Sequence, residues 1–156
     1  MEIKRRRLAS FAVLGQLGST RDGEGFVPRL WQRAHAQFDE IKHLALTNDF
    51  DEYMGFWGLM SSFDMTYMPW DQYHDGYYLA GVEVDKHIEA PEGWTKWIFP
   101  SCDCVVVKVE GEYQACIAKG LDYLKAHQLT LAASMIDFMD PQEQGQPYIY
   151  FPIKRI

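Results

Sequence analysis

Asp137 lies inside the apolar stretch Leu131 to Met139, where an unpaired carboxylate is costly to bury. Two uses fit such an acid: it waits for a cation, or it works as an acid or base with a pKa raised by burial. A strand-end Asp that faces water is the plainer alternative. Glu83, in Ala-Gly-Val-Glu-Val (80–84), is a second acid. Alternation puts it on the face opposite Val82 and Val84, either solvated or as a second acidic wall. Aromatic rings are the natural company of a cation, each contributing about 0.5–1 kcal/mol when exposed and about 2 or more when desolvated. Trp57, Trp70, Tyr148 and Tyr150 are the candidates for such a wall, with core packing the alternative for each. Tyr148 and Tyr150 are two residues apart and share one face of a strand.

Other chemistries find less. The histidines at 35, 43, 74, 87 and 127 show no close ligand spacing. His74, between Asp71 and Asp75, is the one acidic cluster around a histidine, and no metal site is expected. Cys102 and Cys104 lack a second pair and a nearby His, so with Cys116 they read as free thiols of a reducing, cytoplasmic setting. Gly-Gln-Leu-Gly-Ser (15–19) and Asp-Gly-Glu-Gly (22–25) lack the Lys and the spacing of a phosphate loop. No Ser–His–Asp set can be proposed from chain order. No catalytic residue is assigned, except Asp137 should the protein be a hydrolase, and no cofactor is expected.

The composition narrows the partner. Across 156 residues, 15 Lys+Arg against 22 Asp+Glu give a formal net charge of −7, which argues against nucleic acid as the partner of this domain. A neutral or cationic small molecule suits it better, and the aromatic content of 15% calls for a use beyond the core. The basic run Lys4-Arg5-Arg6-Arg7 reads as the solvated lead-in to a strand rather than a nucleic-acid arm. The apolar run Leu8 to Leu14 is too short for a secretory segment, and no run of about 18 apolar residues would span a membrane.

The elements that must position these residues follow from periodicity. Phe11 to Gly18 reads as a strand and Ser19 to Gly25 as a loop. Phe26, Leu30, Ala34, Phe38 and Ile41 make a helical stripe that should run to about Leu46. Tyr53 to Met60 and Tyr77 to Asp85 read as strands around an aromatic loop, Phe63 to Asp75. That loop is folded back, lines a site, or offers itself to a protein partner through Tyr67 to Tyr73. The order then repeats: Trp94 to Pro100 and Cys104 to Val109 form a long strand or a broken pair, with Val105 to Val107 suited to a central strand. Gly111 to His127 is helical, and Leu129 to Met139 and Tyr148 to Ile153 are closing strands, with Pro152 confined to an edge or an end. The expected fold is α+β: duplicated strand–helix–strand–strand units, about 8–87 and 94–156, packed around a pseudo-twofold axis as one antiparallel sheet with two helices. A groove at that axis is a natural binding site.

Phe-Ala-Val-Leu-Gly (11–15) with Leu30-Trp31, Gly-Tyr-Tyr-Leu-Ala-Gly-Val-Glu-Val (76–84), the Pro91 and Gly93 loop, the Phe99-Pro100 step and Tyr-Phe-Pro-Ile-Lys (150–154) stand in an order that resembles the GyrI-like effector-binding domains. The resemblance covers nearly the whole chain and implies the same duplicated fold. It implies an aromatic-walled groove between the halves with a carboxylate, typically Glu before an aromatic residue. Ile136-Asp137-Phe138 matches that piece, with the acid one methylene shorter. Asp137, Trp57, Trp70, Tyr148, Tyr150 and Glu83 are then the expected ligand-binding residues. Members of the family bind lipophilic cations or, as hydrolases, open strained cyclopropanes. The chain reads as a stand-alone binding module for lipophilic, cationic aromatic compounds, with the hydrolase as the alternative.

Overall fold

In a computed structural model of the chain, described here over residues 2–70 and 75–156, eight strands form one antiparallel sheet flanked by two helices. The strands are β1 (Ile3–Leu8), β2 (Phe11–Ser19), β3 (Phe56–Ser61), β4 (Tyr77–Val84), β5 (Thr95–Phe99), β6 (Cys102–Lys108), β7 (Ile136–Asp140) and β8 (Gln146–Arg155); the helices are α1 (Phe26–Ala36) and α2 (Tyr113–Ala126). The order across the sheet is β1-β6-β8-β7-β3-β4-β2-β5. Each half runs strand, strand, helix, strand, strand, one strand more than anticipated, and the halves meet where β3 pairs with β7. The anticipated α+β duplication is what the chain adopts.

Alternation along each strand sorts side chains to two faces. One face, through Leu8, Phe11, Trp57, Leu79, Trp97, Val106, Phe138 and Tyr150, feeds a single core cluster to which every strand contributes. A sheet whose strands all contribute to one cluster curls around it. The other face carries the helices. Leu30 and Ala34 of α1 pack on Met60, Tyr78 and Ala80. Cys116, Ile117 and Leu124 of α2 pack on Val105, Val107, Ile149 and Phe151. All three cysteines are free and buried.

Four expectations change. The run at residues 3–8 is a strand, not a lead-in, and its cations are occupied: Arg7 pairs with Asp103 at 3.0 Å, Arg6 bonds the Tyr150 hydroxyl, and Lys4 and Arg5 lie over the rings of Tyr148 and Tyr123. Helix α1 stops at Ala36; the stripe continues through Phe38 and Ile41 in short 3₁₀ turns, so Ile41 is still buried before Ala45 bridges to Val84. Residues 129–135 are irregular rather than strand, because their backbone finds partners outside the sheet ladder: Leu129 N–H caps α2 at Leu124, Ala132 N–H bonds Pro152 and Ser134 N–H bonds Tyr67. Pro152 sits in the interior strand β8, but beyond the point where β7 pairs with it and beside a register shift in β6, so no ladder donor is missed.

The 95–109 region is a broken pair, and the break exchanges strands. β1 precedes β2 in the chain yet pairs with β6 of the other half; β5 precedes β6 yet pairs with β2. The two short links pass each other where Ser10 N–H donates to Ser101 Oγ at 2.9 Å.

Candidate functional site

Between α1 and α2, over the central strands, lies a cavity of about 910 Å³, within the usual range for small-molecule sites. Its floor is Met60 of β3, Tyr78 of β4 and Asp137 and Met139 of β7. Val27, Pro28 and Trp31 form the α1 wall; Tyr113, Ile117 and Leu121 form the α2 wall; Trp70 closes one end. The first turn of α1 accepts Pro28 because its missing N–H is an orphan there in any case. The cavity therefore sits where the two halves meet.

Asp137 is the single charged side chain among the described lining residues. Its Oδ2 accepts from the Tyr78 hydroxyl at 2.9 Å, and its Oδ1 accepts from the Tyr113 hydroxyl. Trp31 Nε1 donates to the Tyr78 oxygen at 3.1 Å. The chain Trp31–Tyr78–Asp137–Tyr113 thus runs from α1 through the sheet to α2. Burial pushes the Asp137 carboxyl above its ordinary range, and the two phenol bonds pull part of the way back. Both phenols are raised, first by burial and then by the Asp137 charge, so they remain donors. The ion pairs among the described residues are Arg7–Asp103 and Lys42–Asp39, and Asp137 takes part in neither. Asp137 is thus a buried acid with two hydrogen-bond donors and, among the described residues, no ion-pair partner.

Trp70 and Asp137 are the two anticipated residues that the structure brings to this cavity. Trp70 is held there by its own indole N–H, which donates to Tyr77 O at 3.0 Å, and by Gly76, where a Cβ would overlap the indole ring. Trp57, Tyr148, Tyr150 and Glu83 lie on the opposite face. Trp57 is in register with Phe138, one step from Asp137, and so points into the inner core. Tyr148 and Tyr150 do share a face, but Ile149 and Phe151 hold the face toward α2. Glu83 accepts from Trp57 Nε1 at 2.9 Å on that inner side; burial raises its carboxyl, against the Trp57 bond and the Arg6 charge. Of the aromatic loop, Tyr67 packs on Trp97 and Phe99, while residues 71–74, including Tyr73 and His74, lie outside the described residues.

Tyr78, Tyr113 and Trp31 reach the site without having been anticipated there. Their signal is positional: Trp31 flanks the buried stripe of α1, Tyr113 opens the stripe of α2 one turn before Ile117, and Tyr78 alternates with the inner-face residue Leu79. Among the described residues no cluster of His, Cys, Asp and Glu could hold a metal ion, and no helix is long and apolar enough to cross a membrane.

A family model described as the GyrI-like small molecule binding domain matches residues 1–154. Among curated proteins none matches the chain. Solved structures with the same fold include SAV2435 bound to tetraphenylphosphonium, 19% identical, with 99% of this chain and 94% of that one covered at a TM-score of 0.65. The EcmrR C-terminal domain is 9% identical, covers 99% and 98%, and has a TM-score of 0.65. A putative transcription regulation protein from Staphylococcus aureus MU50 is 18% identical, covers 99% of each chain, and has a TM-score of 0.60.

Proposed function

The chain belongs to the GyrI-like small molecule binding domain family, and on that footing we propose that its groove binds lipophilic organic cations, with Asp137 as counter-charge. One observation carries this reading: a buried carboxylate, bonded to two phenols and to no cation, at the floor of an otherwise apolar and aromatic cavity. In that setting a cation regains Coulomb energy that water does not screen. Trp31, Trp70, Tyr78 and Tyr113 offer rings to it, while Met60, Met135 and Met139 supply polarizable, adaptable surface. SAV2435, which shares the fold, holds tetraphenylphosphonium, a delocalised cation without N–H donors. Such a cation suits an acid whose two oxygens already accept hydrogen bonds.

Calorimetric titration with tetraphenylphosphonium tests the reading. Wild type is expected to bind with a Kd on the order of micromolar, about −8 kcal/mol. Asp137→Asn keeps the shape and should weaken binding tenfold or more. Neutral triphenylphosphine oxide should bind both proteins alike. Equal affinity of wild type and Asp137→Asn for the cation would sink the electrostatic part.

A second reading uses the same groove for hydrolysis of an electrophilic, cyclopropane-type compound. The observation in its favour is a carboxyl raised by burial beside two phenol donors, a pairing that could activate water and polarise a leaving group. Incubation with a cyclopropane-bearing alkylator, followed by mass spectrometry, decides it. A water adduct above the buffer control supports hydrolysis, and its absence leaves binding alone.

A further inference from the structure

Tyr78 and Asp137 do not lie on neighbouring strands. Tyr78 is on β4, Asp137 is on β7, and β3 runs between them. Strands in a sheet are about 4.8 Å apart, so the phenol oxygen crosses a whole strand to donate at 2.9 Å to Asp137 Oδ2. The residue it crosses is Gly58, which is paired with Asp137 on one side and with Ala80 on the other. A Cβ on Gly58 would overlap Tyr78 Oη and stand 3.2 Å from Asp137 Oδ2. Gly58 is not among the residues with positive φ. Its backbone would accept any side chain, so the demand for glycine comes from the space alone.

We infer that Gly58 is a positioning residue of the cation site: its missing side chain opens the lane through which Tyr78 reaches Asp137, and that bond holds the carboxylate in the orientation and charge state a cation needs. The inference rests on Asp137 being the counter-charge. Few groups face that acid. β4 supplies Tyr78, α2 supplies Tyr113, and α1 acts only through Trp31 on the Tyr78 oxygen. Its β8 partner is the apolar Ile149, and no second charged side chain lines the cavity among the described residues. The titration of Asp137 is therefore set by its burial and, against that, by its two phenols.

The test follows the Asp137 carboxyl carbon by NMR in ligand-free protein, with Asp137→Asn to assign the signal and tetraphenylphosphonium calorimetry alongside. Gly58→Ala and Tyr78→Phe should each raise the midpoint by about one pH unit, as expected for one hydrogen bond to a charged acceptor. The double variant should match Tyr78→Phe, because both changes remove the same bond. Below the midpoint, cation affinity should fall about tenfold in either single variant, and the loss should shrink as pH rises. A merely structural lesion would not move the midpoint in this way. An unshifted midpoint in Gly58→Ala overturns the inference; where Gly58→Ala does not fold, an unshifted midpoint in Tyr78→Phe overturns it instead. Variant midpoints that shift as expected while the wild type fails to bind tetraphenylphosphonium would overturn the cation reading.

Discussion

Asp137 faces Met60 and Met139 and is bonded only to phenols, so its ionisation is costly until a cation arrives. Its folded pKa is raised by burial. The stability it contributes is therefore fully present below its unfolded value, about 3.9, and is lost as pH rises through the folded value. The difference in Tm between Asp137→Asn and wild type should grow in favour of Asn from about pH 4 upward and then level off. A scanning melt of both proteins from acid to neutral pH measures it, and a difference that stays flat would contradict the burial. Cation binding has the opposite slope. It needs the ionised acid, so wild-type affinity should fall as pH drops through the raised value, while Asp137→Asn binds independently of pH. The acid was legible because an unpaired carboxylate inside the apolar stretch Leu131 to Met139 is costly to bury, although a water-facing strand end was the plainer alternative. Its phenol partners were not, because a hydrogen bond that crosses β3 has no counterpart in sequence spacing.

The groove exists because α1 and α2 sit on the same side of the sheet and leave the β3–β7 seam uncovered. Each helix is set by how closely it can approach. Gly120 of α2 lies against the Phe151 ring, which a Cβ would overlap. Gly120→Ala should push α2 outward and cost about 1–3 kcal/mol, read by urea denaturation. Trp31→Phe should keep the α1 wall but remove the donor to Tyr78, weakening cation binding severalfold with little change in stability. Unaltered binding by calorimetry would limit Trp31 to packing. Both helices were legible from their apolar stripes, but their ends were not. Phe38 and Ile41 continue the stripe of α1 in 3₁₀ turns, and spacing of three fits either helix. The face of each aromatic was a matter of strand parity. A one-residue difference in register between Trp57 and Gly58 against β7 decides which of them meets Asp137, and periodicity alone does not supply that register.

The whole molecule is laced by its first strands. β1 is held by β6 and β5 by β2, so neither half completes its part of the sheet alone. Urea unfolding followed by tryptophan fluorescence and by far-ultraviolet circular dichroism should give one coincident transition. Two separated transitions would mean that the halves are independent. Deleting residues 2–8 should destabilise both halves together, since β6 loses its neighbour and Leu8 leaves the shared core. The duplication was legible in the order of elements, but the exchange was not: Lys4 to Arg7 read as solvated charge and are exposed, and nothing in their spacing marks the strand they form against β6. The lacing also sets a schedule for the ribosome. Ile3 pairs with Val107 and Gly15 with Thr95, so β1 and β2, made before β5 and β6, wait for strands from the second half before finding their places. Contacts this distant slow folding, and until β6 emerges the nascent chain carries an unpaired β1 and an open β2 edge. During that interval the basic run on β1 keeps the waiting strand from pairing with a neighbouring chain.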